Sequence, residues 1–423
     1  MQLNHLAVVA ARFSIGGIAA IAAIAAIAAP ARAQVVQLDT GHAFFYEAPT
    51  RTHMFVYSPS VDVQASPWAW LDVRGGWEAD VVSGASVATK AGSTYGATHA
   101  ADVVTTASVH DVRNLGHGEV AFKGETTTWT AGYAYGAERD YQSNSLHVQA
   151  RTDVLQHNTQ LELSYARNFD AICDRVQSAS AASATQWLAL EDSKGCFTEG
   201  ANRMTHPIGI DTYEASWGQS WTPVLATQLT YSGQLVNGFQ SDPYRSVILG
   251  EGLKAQEHEP NERARESLTA RLAWYVRALK GALRVSVRAY HDTWSIDSGS
   301  LEAEAERSFG ESLRLMVRGR FYKQTGAIFW SDDYTGGRPP LGPRGQYWTG
   351  DRELSPFWSW LAGVRAVWAL SPANRRIAGP LQSLKLAGTL AMSSYSYEEY
   401  TLGGVPVSNA RAYFGTLSLD ALF

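Results

Sequence analysis

Ten ionisable side chains between positions 271 and 320 recur at spacings that could build an electrostatic device. Arg271 and Arg277 stand on one stretch, Arg284 and Arg288 on the next, then Glu302, Glu304 and Glu306, and beyond them Arg314, Arg318 and Arg320. Within each stretch the spacing is even, and residues two apart share one face of an extended strand. The alternate positions are mostly apolar: Leu268, Leu272, Trp274 and Val276; Leu283, Val285, Val287 and Ala289; Leu313, Leu315, Val317 and Phe321. A carboxylate column between two guanidinium columns gives cross-strand pairs, each contributing about 0.2–1 kcal/mol where solvated. The same columns around a water-filled lumen form a constriction whose transverse field screens solutes by charge. A wall-stiffening ladder and a charge filter are compatible readings, and conductance separates them.

Other reactive groups point less far. His291-Asp292, with Ser295 close by, comes nearest to an acid–base dyad. Such a dyad needs both groups within hydrogen-bond reach and a third to orient them, whereas adjacent strand residues point to opposite faces. The chain has no Walker loop, no H-E-x-x-H and no Rossmann fingerprint, so neither an enzyme nor a cofactor is expected. Asp332, Asp333, Asp351 and Glu353 could offer oxygens to a divalent ion but read as solvated loop carboxylates, and no metal is expected. Cys173 and Cys196 are the 2 cysteines. In an exported chain they most simply form a disulfide, which constrains the unfolded state by about 3 kcal/mol. A redox pair is more often a close C-x-x-C, and a zinc site needs more ligands.

The elements that must hold the charged columns follow from the same alternation. Strands are expected near 36–47, 53–64, 68–82, 111–124, 127–140, 143–155, 158–169, 211–222, 224–238, 264–278, 282–296, 300–309, 312–328, 354–369, 382–397 and 410–423. Most are far longer than the roughly 5–6 residues of soluble strands. Long dyad-alternating strands in a chain with 14 Trp and 19 Tyr predict an all-β fold, a transmembrane antiparallel barrel of about 16 strands (14–18). Tight connections at Ser66-Pro67, Gly124-Glu125-Thr126, Thr222-Pro223, Lys280-Gly281 and Gly310-Glu311 alternate with longer ones at 83–110, 170–210, 239–263, 329–353 and 398–409. Short periplasmic turns and long extracellular loops have this asymmetry. Trp68, Trp70, Trp77, Trp129, Trp217, Trp221, Trp348, Trp358, Trp360 and Trp368 fall mostly near strand ends, where an amphipathic ring suits the headgroup level.

Composition and termini agree. Charged residues make up 18% of the 423 residues, and 35 basic against 40 acidic residues leave no basic footprint, so no nucleic-acid partner is expected. Arg12, the apolar run from Phe13 to Ala29 and Ala31-Arg32-Ala33 describe a secretory signal peptide cleaved after Ala33. The domains are therefore 1–33, a cleaved signal, and 34–423, one barrel. At the other end Tyr413, Gly415, Leu417, Leu419, Ala421 and Phe423 share a face and the sequence stops on the aromatic residue. This resembles the C-terminal signal, carried here by Tyr413, Leu417, Leu419 and Phe423, that hands barrels to their assembly machinery.

Several stretches resemble one family. They are Asp80-Val81-Val82-Ser83-Gly84-Ala85-Ser86, Glu138-Arg139-Asp140-Tyr141-Gln142-Ser143 and Gly238-Phe239-Gln240-Ser241-Asp242-Pro243-Tyr244-Arg245. Arg288-Ala289-Tyr290-His291-Asp292-Thr293-Trp294 and the run from Arg320 to Phe329 (RFYKQTGAIF) complete them. The sequence is similar in these to an uncharacterised bacterial family of roughly 400-residue outer-membrane proteins, a domain of unknown function. The resemblance implies a Gram-negative outer-membrane address and no activity, cofactor or catalytic residue. The expected function is a porin-like pore or export/uptake conduit with an Arg/Glu-lined lumen. The alternatives are a non-conducting structural or adaptor barrel docking a periplasmic partner, and an outer-membrane hydrolase. The expected partners are outer-membrane lipid, lipopolysaccharide and the barrel-assembly machinery.

Overall fold

In a computed structural model, period-two alternation becomes a closed ring of strands. Residues 35–48, 54–84, 104–105, 111–138, 140–175, 203–242, 245–249, 253–332, 334, 345–370, 381–399, 401–402, 405–406 and 409–423 are described. The signal segment 1–33, Arg139, Asp333 and Cys196 lie outside them. Sixteen antiparallel strands form the barrel. They are β1 Val35–Ala48, β2 Met54–Trp68, β3 Leu71–Gly84, β4 Asp111–Lys123, β5 Thr127–Ala137, β6 Tyr141–Val154, β7 Thr159–Arg175 and β8 Arg203–Thr222. β9 Leu225–Gly238, β10 Glu262–Val276, β11 Gly281–Asp292, β12 Asp297–Phe309, β13 Leu313–Gln324, β14 Phe357–Ala369, β15 Ser383–Tyr397 and β16 Asn409–Leu422 complete the ring. Each strand pairs with the next in sequence, and β16 closes on β1, with Gln37 opposite Leu422 and Ala48 opposite Arg411. No backbone edge is left to hydrogen-bond in lipid, the condition for a sheet to span a membrane.

The register sorts the two faces. Phe44, Trp129, Leu163, Leu229, Leu268, Val287, Val317, Val364, Leu390 and Leu417 are exposed large hydrophobics, one parity of each strand, and form the outer surface. Aromatic residues gather at both rims of that surface. Trp68, Trp70, Trp129, Trp221, Trp274 and Trp368 ring the end with the tight turns, and Phe44, Tyr46, Phe169, Phe321, Trp360 and Tyr413 the other. Trp348, expected in a girdle, is instead buried in a loop.

The tight turns use positions where only a left-handed residue reverses the chain. Gly310 (φ 64) closes β12–β13, and Lys280 (φ 47) ends the turn Arg277–Leu279 after β10. At the opposite end residues 104–105 pair with 245–246, joining two long loops. A second loop group carries the only hydrophobic cluster of buried residues among those described: Trp294, Ile296, Ala327, Phe329, Trp330 and Leu354. The core of this protein therefore sits at the outer mouth, not between its sheet faces.

Candidate functional site

The inner wall is read most directly from β12. Its inward column runs Ser298, Ser300, Glu302, Glu304, Glu306, flanked in register by β11 and β13. Arg284 Nη1 lies 3.1 Å from Glu306 Oε2 and 3.7 Å from Glu304 Oε2, and Arg314 Nε lies 3.4 Å from Glu306 Oε1. Arg318 stands opposite Glu304 and Arg320 opposite Glu302, yet neither makes an ion pair. Arg271 donates to Gln228 Oε1 at 3.2 Å rather than to a carboxylate. Arg277 does not join the wall. β10 ends at Val276, and Arg277 opens the turn Arg277–Leu279 needed to reach Lys280.

Three further arginines belong to this face. Arg263 and Arg265 share the parity of Arg271 on β10, and Arg365 on β14 lies opposite Met316. Parity would have found all three, but Arg263 and Arg265 precede the apolar run used to place the strand, and Arg365 is a lone charge on its own. Nine arginines thus face four carboxylates (Asp292, Glu302, Glu304, Glu306) across β10–β14. Among the described residues Arg265, Arg271, Arg288, Arg318, Arg320 and Arg365 have no carboxylate partner at ion-pair distance. Elsewhere the balance reverses, since β1–β3 present Asp39, Glu47, Asp62, Asp72, Glu78 and Asp80 against Arg74. Arg74 pairs with Asp62 at 3.0 Å, Lys123 of β4 with Asp72 and His147 with Glu119.

The His291-Asp292 dipeptide divides as expected. His291 points outward and hydrogen-bonds Asp297 at 2.8 Å. Asp292 points inward and is fully buried, accepting from Arg263 Nε (2.9 Å), the Tyr290 hydroxyl (2.8 Å) and the amides of Trp294 (3.0 Å) and Ile296 (2.9 Å). It caps the β11–β12 turn and neutralises Arg263, whose guanidinium also lies 4.0 Å over the Trp294 ring. A buried carboxylate is retained when charge and hydrogen bonds compensate it, and here they do. Ser295 takes a left-handed conformation within this turn (φ 67).

Residues 325–332, 334 and 345–356 roof this part of the wall. They pack on Trp294 and Ile296, with Trp294 and Phe329 edge-to-face at 5.2 Å. The buried Tyr334 hydroxyl accepts from the amides of Ser331 (3.0 Å) and Thr349 (2.8 Å). The backbones of His258 and Trp348 exchange two 2.9 Å bonds, tying the roof to the β9–β10 loop. Arg352 then reaches Glu47 on β1 through two bonds of 2.5 and 2.8 Å, with side-chain exposures of 13% and 4%. Burial pulls the Arg352 pKa down, but the hydrogen bonds it donates to Glu47 and the nearby acidic groups outweigh it and raise it. The guanidinium stays charged wherever the protein is folded. On the underside Gln324 donates to the carbonyls of Glu353 (2.9 Å) and Ser355 (2.8 Å). Glu353 and Leu354 consequently line a cavity of about 350 Å³ together with Arg288, Tyr290, Arg320 and Tyr322. Below it Arg271, Arg284, Arg288, Glu302, Glu304 and Arg320 border a second space of about 510 Å³.

A family model described as "Protein of unknown function (DUF3570)" matches residues 8–384. The chain belongs to the DUF3570 family. No curated protein matches it. Among solved structures it is similar to a bacterial polysaccharide outer membrane secretin, at 9% identity and TM-score 0.47, over 92% of this chain and 97% of that one. It is also similar to Pseudomonas aeruginosa OccK11 (OpdR), at 8% identity and TM-score 0.40 over 92% and 96%. OpdK of the same organism, solved with vanillate, matches at 8% and 0.42 over 92% and 98%.

In this DUF3570 barrel the remaining sequence candidates fall as follows. Tyr413, Leu417 and Leu419 share the outer face of β16, and Phe423, just past its end, exchanges backbone bonds with Val36 at 2.8 and 3.3 Å. Cys173 is buried near the outer end of β7, while its expected partner Cys196 and the segment around Trp187 lie outside the described residues. Among the described residues no group of three or more His, Cys, Asp or Glu is arranged to hold a metal ion. What the wall can do chemically is attract, orient and repel charge.

Proposed function

We propose that this DUF3570 protein is a solute-conducting pore of the Gram-negative outer membrane, with selectivity set by its charged inner wall. The observation that carries this reading is the set of six arginines of the inner wall that have no carboxylate partner among the described residues. A ladder that only stiffened the wall would pair its charges across neighbouring strands, as Arg284 does with Glu304 in register and with Glu306 on the diagonal. Unmatched guanidiniums on β10–β14 and excess carboxylates on β1–β3 instead set up a field across the interior, which acts on whatever passes. Export through a signal peptide cleaved after Ala33, and assembly directed by the Phe423-terminated strand, belong to the same proposal.

The roof supports a second reading. Residues 327–330 and 352–354 are packed over the barrel mouth and strapped to β1, and a barrel plugged in this way could act as a non-conducting adaptor for a periplasmic partner. Reconstitution in planar bilayers separates the two. Stable conductance steps are expected for the pore, and persistent silence of folded, heat-modifiable protein would transfer the proposal to the adaptor. Recovery of the protein as a soluble periplasmic species would end both.

A further inference from the structure

The inward column of β12 changes character half-way. Three glutamates occupy its lower part, while Ser298 and Ser300 stand above them. Short side chains there leave a recess between two arginine–tyrosine pairs. Arg288 lies 6.0 Å over Tyr290 on the β11 side, and Arg320 lies 5.6 Å over Tyr322 on the β13 side. Ser300 is the residue opposite both Arg288 and Tyr322. Both tyrosines are fixed at the hydroxyl, Tyr290 by Asp292 (2.8 Å) and Tyr322 by Gln324 Oε1 (2.6 Å), so their rings hold the guanidiniums in place. Leu354 and Glu353 close the recess from the outer side.

We infer that this recess is a binding subsite for a small hydroxylated organic anion, a sugar acid or a sugar phosphate. Three features select that class. Arg288 and Arg320 are exposed to the interior without a carboxylate partner, and a guanidinium fork matches a carboxylate or a phosphate in two-point geometry. Arg263, the third arginine on the cavity, is already neutralised by Asp292, so the anion is directed to the other two. Ser298 and Ser300 offer hydroxyls to a polyol that would otherwise lose its water without compensation. The volume of about 350 Å³ is at the small end of ligand sites. Glu302 immediately below repels an anion and keeps it in the serine-lined part. The inference rests on the pore reading only for how the solute arrives.

Affinity is measured by titration calorimetry on the full-length, detergent-folded barrel, with gluconate, glucose 6-phosphate, acetate and glucose as probes. Gluconate or glucose 6-phosphate should bind at least about tenfold more tightly than acetate, which lacks hydroxyls, and than glucose, which lacks charge. The tighter of the two identifies carboxylate or phosphate as the anionic group. Arg288→Gln and Arg320→Gln should each weaken binding about tenfold. Ser300→Leu, which keeps every charge and fills the recess, should weaken it as much. Unchanged affinity in the folded Arg288→Gln/Arg320→Gln double variant, or probes binding no better than acetate, would overturn the subsite. Bound gluconate in a barrel that never conducts would remove the pore and keep the subsite. Conductance steps with no binding would do the opposite.

Discussion

Reversing charge at Arg288 and Arg318 together probes the wall where the structure makes it most consequential. Both residues point inward, neither has an ion pair, and their outward neighbours Val287 and Val317 are untouched. Nine arginines and four carboxylates face the interior of β10–β14, and the double change to Glu reduces that excess from five positive charges to one. An ion passing about 6 Å from a unit charge in water feels about 0.7 kcal/mol, and screening at about 0.1 M salt roughly halves it. Changing the sign at one position therefore shifts the ion's energy by about 0.7 kcal/mol, and at two by about 1.5 kcal/mol. The cation gains what the anion loses, so the ratio of cation to anion permeability shifts by about 3 kcal/mol, a rise on the order of 100-fold. The reversal potential under a KCl gradient, in planar bilayers, reads the ratio directly. The new glutamates also sit beside Glu302 and Glu304, so thermal stability should fall modestly. A folded double variant that conducts with an unchanged reversal potential would refute the filter and leave only the ladder.

Other consequences are equally concrete. Arg352→Ala leaves the buried Glu47 unpaired, at a cost of about 3–5 kcal/mol to the docking of the roof. Limited proteolysis should then cut within 345–356 faster while the barrel keeps its heat-modifiable migration, and wild-type resistance would refute the strap. Asp292→Ala removes the acceptor that neutralises Arg263 and caps the β11–β12 turn, so the temperature at which the folded band converts should drop by several degrees, consistent with about 3–5 kcal/mol lost from a buried pair. No change in that temperature would mean that Arg263 finds another partner. Alkylation of the exported protein without reductant should leave Cys173 and Cys196 unlabelled, and two free thiols would disprove the disulfide.

Much of this architecture is local in origin. A strand in lipid must show one apolar face, so a period of two is written into every membrane-crossing segment. That is why the expected 111–124 and 382–397 coincide closely with Asp111–Lys123 and Ser383–Tyr397. It is also why the lumenal parity of Arg284, Arg288, Arg314, Arg318 and Arg320 was legible. The pattern fades where strands leave the bilayer, because water imposes no apolar face. β7 and β8 therefore run on to Arg175 and back from Arg203 through Asp170 and His206, where a loop was expected. The expected strand 282–296 stops at Asp292 for a different reason, since the turn that Asp292 caps interrupts the alternation.

The approximate strand number and the outward face of each strand were thus legible in the sequence alone, because alternation between residues two apart marks both the segment and its apolar side. Pairing was not. Which arginine meets which carboxylate depends on the register between strands, and register follows from turn lengths that the side-chain pattern does not contain. Arg263 and Arg265 share one parity, yet only Arg263 reaches Asp292 and is buried with it. Glu47 and Arg352 are separated by 305 residues, and only closure of the ring by β16 on β1 brings them together. The recess between Arg288 and Arg320 likewise exists because β12 places a serine between two neighbouring strands and a distant loop folds over it.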